Sequence, residues 1–301
     1  MPDRVALRMA APAKLNLYLH IEGRRDDGLH RIDSLIAFAE AGDVVTVVPA
    51  HDLTLTADGR FSGDLPVAGD NLVLRAAGRL REAVGTDEGA ELHLTKNLPV
   101  AAGIGGGSTD AAAALRLLAR LWRRYPDALT DEAIARSLGA DVPVCWRGRT
   151  ARVSGIGERI IAMPDLPPVS VVLANPGVAL PTAEVFRHHA ATPVQDGPAV
   201  DAEWNGISDA ATLADRLAAM RNDLETPALA LAPQIADTLD ALRGAPGCLL
   251  ARMSGSGATC FGLFASFAGA QAVADVLRAE HPGWWVAATR LRATPPEPEK
   301  L

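Results

Sequence analysis

The sequence predicts an α+β chain of two domains, and three features carry that expectation. Segments that alternate apolar and polar residues interleave, in both halves, with segments whose apolar residues recur every three or four positions. A proline-rich connector, Met163-Pro164-Asp165-Leu166-Pro167-Pro168, marks the boundary between residues 1–164 and 165–301. In the first half, between a strand and a helix, lies Pro99-Val100-Ala101-Ala102-Gly103-Ile104-Gly105-Gly106-Gly107-Ser108-Thr109-Asp110, with four glycines in five positions.

A chain of 301 residues can bury a large core and suits two ordinary domains. Its 49% apolar and 22% charged content is that of a soluble globular protein. No apolar run approaches the ~20 residues of a membrane span, and the N-terminus has no signal-peptide core. The formal net charge of −7 argues against bulk nucleic-acid binding but leaves small phosphorylated ligands open. Cys145, Cys248 and Cys260 have no zinc-type spacing, and their odd count fits reduced thiols in a cytoplasm.

Taken in order, Ala11–Ile21 alternates, with Leu15, Leu17, Leu19 and Ile21 on one face and Lys14, Asn16, Tyr18 and His20 on the other. That predicts a half-buried strand whose polar face faces solvent. A turn-rich basic loop follows over Gly23–Arg31, then strands at Asp43–Val48 and Leu53–Thr56. Asp70-Asn71 can cap a helix in which Val73, Ala76, Ala77, Leu80 and Val84 share a face, with Gly85 as its stop. Glu91–Lys96 alternates as a strand, and a helix is expected from Thr130 as cap to Leu138. Asp141, between Gly139 and Pro143, is expected on a short irregular segment. Strands at Thr150–Val153 and Arg159–Ala162 complete the first half.

The second half reads as a strand at Val169–Ala174, a helix near Thr182–His189 and a surface loop over 191–207. Helices at about 209–220 and 228–243 follow. Strands at Cys248–Met253 and Thr259–Phe264 flank a second glycine loop, Ser254-Gly255-Ser256-Gly257. A helix at about 266–280, a strand at Trp284–Leu291 and a Pro/Glu-rich tail close the chain.

The first glycine loop carries the chemistry. Glycines let backbone take positive φ and approach a ligand with no Cβ in the way. Ser108 and Thr109 are N-cap types, Asp110 suits a first helical turn, and the apolar period from Ala111 to Trp122 predicts a helix to about Arg123. Unpaired N–H groups and a positive dipole end together suit a phosphate. This is not a P-loop, because no lysine occurs between Lys96 and the C-terminal tail. Nor is it a Rossmann fingerprint, because Ser108 stands at the third glycine position.

That loop resembles the phosphate loop of the GHMP kinase superfamily. Pro12-Ala-Lys14-Leu-Asn16, Leu138-Gly-Ala-Asp141-Val-Pro143 and Ala251-Arg-Met-Ser-Gly255-Ser-Gly257-Ala258 extend the resemblance over about residues 10–265. Gly23-Arg24-Arg25-x-Asp27-Gly28-x-His30, Asp70-Asn71-Leu72 and Arg221-Asn222-Asp223-Leu224-Glu225 resemble the branch acting on a diphosphocytidyl-methylerythritol. The resemblance implies a two-domain GHMP kinase fold: an N-terminal domain similar to the second domain of ribosomal protein S5, and a ferredoxin-like C-terminal domain. It implies ATP and Mg²⁺, and phosphoryl transfer to the 2-hydroxyl of that small molecule in non-mevalonate isoprenoid precursor supply. With the charge, the cysteine count and the lack of a membrane run, the expectation is a cytoplasmic monomer or homodimer with no nucleic-acid or membrane partner.

By the same resemblance Asp141 is the general base and Lys14 its electrostatic partner. A hydroxyl attacking a phosphoryl group must lose its proton, and a carboxylate in hydrogen-bond reach can take it. ATP is expected on Asn71, Lys96, Pro99, Val100, Ala101, Ala102, Gly103, Ile104, Gly105, Gly106, Gly107, Ser108 and Thr109. The substrate is expected on Asn16, His30, Asp141, Thr182 and Phe186. Leu29 stands where a tyrosine is usual, so one ring that would stack on cytosine is missing. Kinases of mevalonate or homoserine type and a non-catalytic nucleotide-binding relative are the alternatives. The G-R-R-x-D-G-x-H stretch disfavours the first, and the pairing of Lys14 with Asp141 the second.

Overall fold

A computed structural model describes residues 5–66, 70–124, 128–189, 204 and 206–301; the loop expected over 191–207 falls outside these except at 204, 206 and 207. The first half is built on one long hairpin. β1 (Leu7–Arg24) pairs antiparallel with β2 (His30–Ala50) from Leu7↔Val47 to Arg24↔His30. The sequence predicts only the second half of β2, because Leu35, Ile36, Ala37 and Phe38 show no alternation. All four are buried: Leu35 and Ala37 pack toward the second sheet, and Ile36 and Phe38 toward Val144 and Val153. A strand covered on both faces reads as an apolar run without period.

β3 (Leu53–Asp58) lies parallel to β4 (Gly89–Thr95), with α1 (Leu72–Val84) as the crossover between them. Asn71 caps α1 by accepting from the Val73 N–H at 2.9 Å, and Gly85 ends it in the left-handed region. α2 (Gly106–Leu121) begins two residues before the expected hydroxyl caps, with Gly105 as N-cap at φ 61°. α3 (Ala128–Leu138) starts before Thr130. Asp141 lies on a turn, as the sequence suggests, but α4 (Val142–Arg147) begins directly after it; Pro143 is tolerated in its first turn, where a missing N–H costs nothing. β5 (Ala151–Gly155) adds to the first half of β2, and β6 (Arg159–Ala162) pairs with β5.

The second half contains β7 (Ser170–Asn175), α5 (Thr182–His189), α6 (Ala210–Ala218), α7 (Glu225–Leu231), α8 (Gln234–Arg243), β8 (Cys248–Met253), β9 (Cys260–Phe264), α9 (Phe267–Glu280) and β10 (Trp285–Arg290). The helix expected over 228–243 is therefore two, divided at Pro233, which offers no N–H to continue the first. The four strands form an antiparallel sheet in the order β10-β7-β9-β8, with α8 and α9 packed on it, which is the ferredoxin-like arrangement. Alternation along β7 decides the layering. Val171 and Leu173 pack toward Leu15, Leu17 and Leu35, while Val172 and Ala174 pack toward Ile235, Leu239 and Val273.

The expected Pro/Glu-rich tail does not stay irregular. Its β11 (Glu299–Lys300) pairs with β1 through Leu7↔Lys300 and Arg8↔Glu299, which makes the large sheet seven-stranded. On the way, Arg116 and Arg120 of α2 donate to the Pro296 and Pro298 carbonyls at 3.3 and 3.4 Å.

The stretch Arg221–Glu225 braces β1 against the second half. His20 Nε2 accepts the Arg221 N–H at 3.2 Å, the Asp223 carboxylate accepts the Ile21 N–H at 2.7 Å, and Asn222 Nδ2 donates to the Met253 and Gly255 carbonyls. Arg252 donates to the Leu17, Leu217 and Met220 carbonyls and so closes the C-terminal end of α6; burial pushes its pKa down to about 10. Burial, then the Arg221 charge, holds the His20 imidazole below its usual value. A base whose folded pKa is depressed contributes stability that is intact above its unfolded value and lost as pH falls. The urea midpoint is therefore expected to drop as pH is lowered from about 6.5, with a shallower drop in His20→Gln. A variant with an unchanged pH slope would remove His20 from this linkage.

Candidate active site

The two glycine loops pack backbone to backbone over the middle of β1. Lys14 N donates to the Ile104 carbonyl at 2.9 Å, and Thr259 N to the Ala102 carbonyl at 3.1 Å. Ser254 Oγ donates to the Gly103 carbonyl at 3.0 Å and accepts the Asn16 N–H at 3.1 Å. Gly103 has φ 74°, and a Cβ there would lie 2.4 Å from the Ser254 carbonyl oxygen; one on Gly255 would lie 2.7 Å from that of Gly103. Only glycine permits this approach.

The loops wall a cleft of ≈ 1140 Å³. Its inner wall includes Lys14 and Asn16 of β1, which do not face solvent as the alternation suggests. Lys14, Asn16, Tyr18 and His20 are all buried, but they do not share the one face expected of them. The pairing with β2 shifts register between Asn16 and Tyr18, so Leu19 lines the cleft while Tyr18 packs with Leu15 and Leu17 in the core between the sheets. Lys14 Nζ donates to Asp141 Oδ2 at 2.8 Å; the lysine side chain is 5% exposed and the aspartate side chain 43%. Asp141 precedes α4, yet its side chain makes no capping bond, so its carboxylate faces the cleft. Asn16 Nδ2 donates to Ser34 Oγ at 2.8 Å. Because that hydroxyl gives its own proton to the Tyr18 carbonyl, the amide orientation is fixed. Asn16 Oδ1 is left buried with no partner among the described residues, in a residue that lines the cleft.

Beneath the start of α2 lies a buried ionic triad. Lys96 Nζ donates to Asp43 Oδ2 and, at 2.8 Å, to Asp110 Oδ2; all three side chains are within 2% of complete burial. Burial pulls the Lys96 ammonium down, but the two carboxylates outweigh it and hold the group above its usual value. Burial pushes the Asp110 carboxyl up to about 8, against the pull of Lys96 and with that of Asp43. Asp43 Oδ1 accepts the Asn97 and Leu98 N–H groups at 2.6 and 2.8 Å, which fixes the turn leading into the loop. Lys96, expected as a nucleotide contact, lines the cleft but spends its charge on this triad.

At the other end, His30 and Phe186 have ring centroids 5.1 Å apart, and His189 lies behind His30 at 6.1 Å. Burial, followed by the His189 and Arg24 charges, lowers the His30 pKa and so favours the neutral ring. Leu29 lines this end and is half-exposed; the loop around it is tied by Arg25 N to the Leu29 carbonyl and Leu29 N to Asp27 Oδ1. Thr182 Oγ1 and Ser256 Oγ share a hydrogen bond of 2.8 Å and both line the cleft.

One cleft thus collects Lys14, Asn16, His30, Asn71, Lys96, Asp141, Thr182, Phe186, Pro99–Gly103 and Gly105–Ser108. Ile104 and Thr109 do not line it. Ile104 belongs to the core between the sheets, and the Thr109 hydroxyl turns back to the Gly106 carbonyl at 2.9 Å. Residues the sequence reading left out also line the cleft: Arg24, Ile156, Gly255 and Ser256. The second glycine loop was a visible signal for the last two. Ile156 carried none, being one apolar residue in a turn.

Residues 71–149 match the family GHMP kinases N terminal domain, and residues 204–283 match GHMP kinases C terminal. The chain belongs to the GHMP kinases, which are small-molecule kinases. It is similar to the 4-diphosphocytidyl-2-C-methyl-D-erythritol kinase of Cereibacter sphaeroides, with 54% identity over 93% of this chain and 98% of that one. The kinase of the same description from Parvibaculum lavamentivorans is also 54% identical, over 92% and 95%. Among solved structures, a 4-(cytidine 5'-diphospho)-2C-methyl-D-erythritol kinase superposes with a TM-score of 0.78 at 35% identity, covering 94% of this chain and 98% of that one.

Proposed function

We propose that the cleft transfers the γ-phosphoryl of ATP to the 2-hydroxyl of 4-diphosphocytidyl-2-C-methyl-D-erythritol, with residues 1–164 and 165–301 as its two lobes. The observation that carries this reading is the Lys14–Asp141 pair at 2.8 Å, placed in one cleft with the glycine loops and the His30–Phe186 pair. Asp141 accepts the hydroxyl proton, and Lys14 compensates the charge that gathers during transfer. Asn16 Oδ1, buried and unpartnered, accepts a hydrogen bond from the substrate; a ligand there relieves an otherwise unsatisfied acceptor. The loop from Pro99 to Ser108 holds the ATP phosphates on backbone N–H groups at the start of α2. Mg²⁺, when bound, neutralises those phosphates. Neutral His30 presents one donor and one acceptor to the cytosine edge, with Phe186 against the ring. Action in isoprenoid precursor supply and a cytoplasmic location complete this reading.

Incubation with ATP, Mg²⁺ and the diphosphocytidyl substrate should give ADP and a singly phosphorylated product, read by mass. Turnover of mevalonate or homoserine instead would assign the chain to another alcohol, and binding without turnover would make it a nucleotide-binding relative.

Leu29 gives a sharper check of the base-binding end. An aromatic ring stacked on a base contributes ~1–3 kcal/mol, of which a leucine supplies the apolar part without the π face. Leu29→Tyr is expected to lower KM for the cytidine substrate several-fold at nearly unchanged kcat, because the ring is remote from the reacting hydroxyl. An unchanged KM in a stably folded variant would show that position 29 does not face the base.

A further inference from the structure

The geometry points to Asp110 as a protein ligand of the divalent cation that accompanies the nucleotide, through its unpartnered Oδ1. This rests on the reading of the cleft as a nucleotide site and goes beyond the glycine loop itself. Side chains on a helix lean toward its N-terminus, so the Asp110 carboxylate reaches back to the first turn of α2. The distances agree: Asp110 Oδ2 is 2.8 Å from Lys96 Nζ, and that nitrogen is 2.9 Å from where a Cβ on Gly106 would stand. The carboxylate therefore sits beside the N–H groups expected to hold phosphates, in a residue that lines the cleft.

Charge and hydrogen bonding then single out one oxygen. Lys96 is one cation shared between two carboxylates. Asp43 commits Oδ2 to Lys96 and Oδ1 to two backbone N–H groups. Asp110 commits only Oδ2; its Oδ1 is buried and has no hydrogen-bond partner among the described residues. A carboxyl oxygen without a partner is costly to bury, and burial alone favours its protonated form; ionised and facing a polyphosphate, it would meet charge of its own sign. A cation between the two resolves both conflicts. Mg²⁺ suits the place, since it takes one or two carboxylates and completes its shell with phosphate oxygens and water.

The test uses Mn²⁺ as a paramagnetic substitute and ADP as the nucleotide. In the full chain labelled with [4-¹³C]aspartate, pulsed EPR of bound Mn²⁺·ADP should show an inner-sphere ¹³C coupling. That coupling should vanish in Asp110→Asn and persist in Asp141→Asn. By calorimetry, Mn²⁺ should tighten ADP binding to the wild type, and Asp110→Asn should lose that enhancement by ~10-fold or more while still binding free ADP. No ¹³C coupling in the wild type, whatever the variants do, would overturn the assignment. So would a coupling lost only in Asp141→Asn. Absence of ADP binding to the wild type, with or without Mn²⁺, would instead overturn the nucleotide reading on which it rests.

Discussion

Asp141→Asn is expected to cut kcat by ~10²–10⁴, the usual contribution of a positioned base, while leaving ADP affinity unchanged. The asparagine Oδ1 can still accept from Lys14 Nζ, and the position is 43% exposed at its side chain, so the melting temperature should move little. An amide has no basic site for the hydroxyl proton, and that is the property the substitution removes. The measurement is a coupled ADP-release assay at saturating substrate, beside a thermal melt. Wild-type turnover in a folded Asp141→Asn protein would end the assignment of Asp141 as base and leave it as the partner of Lys14 alone.

Gly103→Ala should act on the nucleotide side with comparable force. Its φ of 74° costs a non-glycine residue roughly 1–2 kcal/mol. The new Cβ would stand 2.4 Å from the Ser254 carbonyl oxygen and 2.7 Å from Gly257 N and O, which are backbone atoms with no rotamer to escape into. Overpacking of that kind costs a further ~1–3 kcal/mol. The two glycine loops are expected to separate, with an ADP affinity loss of at least ~10-fold and a fall of several degrees in melting temperature. Calorimetry that finds ADP bound as in the wild type would mean that the contact of the loops does not shape the phosphate cradle.

Much of the site was legible because its chemistry is local. The glycines at 103, 105, 106 and 107, the side-by-side Lys14 and Asn16, and Asp141 beside Pro143 each announce themselves within a few residues. What stayed hidden is long-range. Nothing near Lys14 says that the loop at 254–259 will cover its strand face, so alternation suggested solvent where the fold supplies the inner wall of a cleft. Asp110 looked like a helix-dipole residue; its carboxylate is taken by Lys96, and that choice depends on Asp43, far earlier in the chain. The first half of β2 lost its period through burial on both faces, and Pro233, which divides α7 from α8, was in plain view. The tail strand β11 has only two residues, Glu299 and Lys300, and no pattern of that length identifies a strand.

That tail strand ties the end of the chain into the sheet strand with which the fold begins. The chain crosses from the large sheet to the small one between β6 and β7, and crosses back between β10 and β11. Two covalent connections therefore span the gap, and the return path is fastened to the C-terminal half of α2 by Arg116 and Arg120. Because the two sheets also share the core around Leu15, Leu35, Val171 and Leu173, the connections join halves that are already packed as one body. The helix that the first glycine loop opens is thus strapped, at its far end, to the closing segment of the chain.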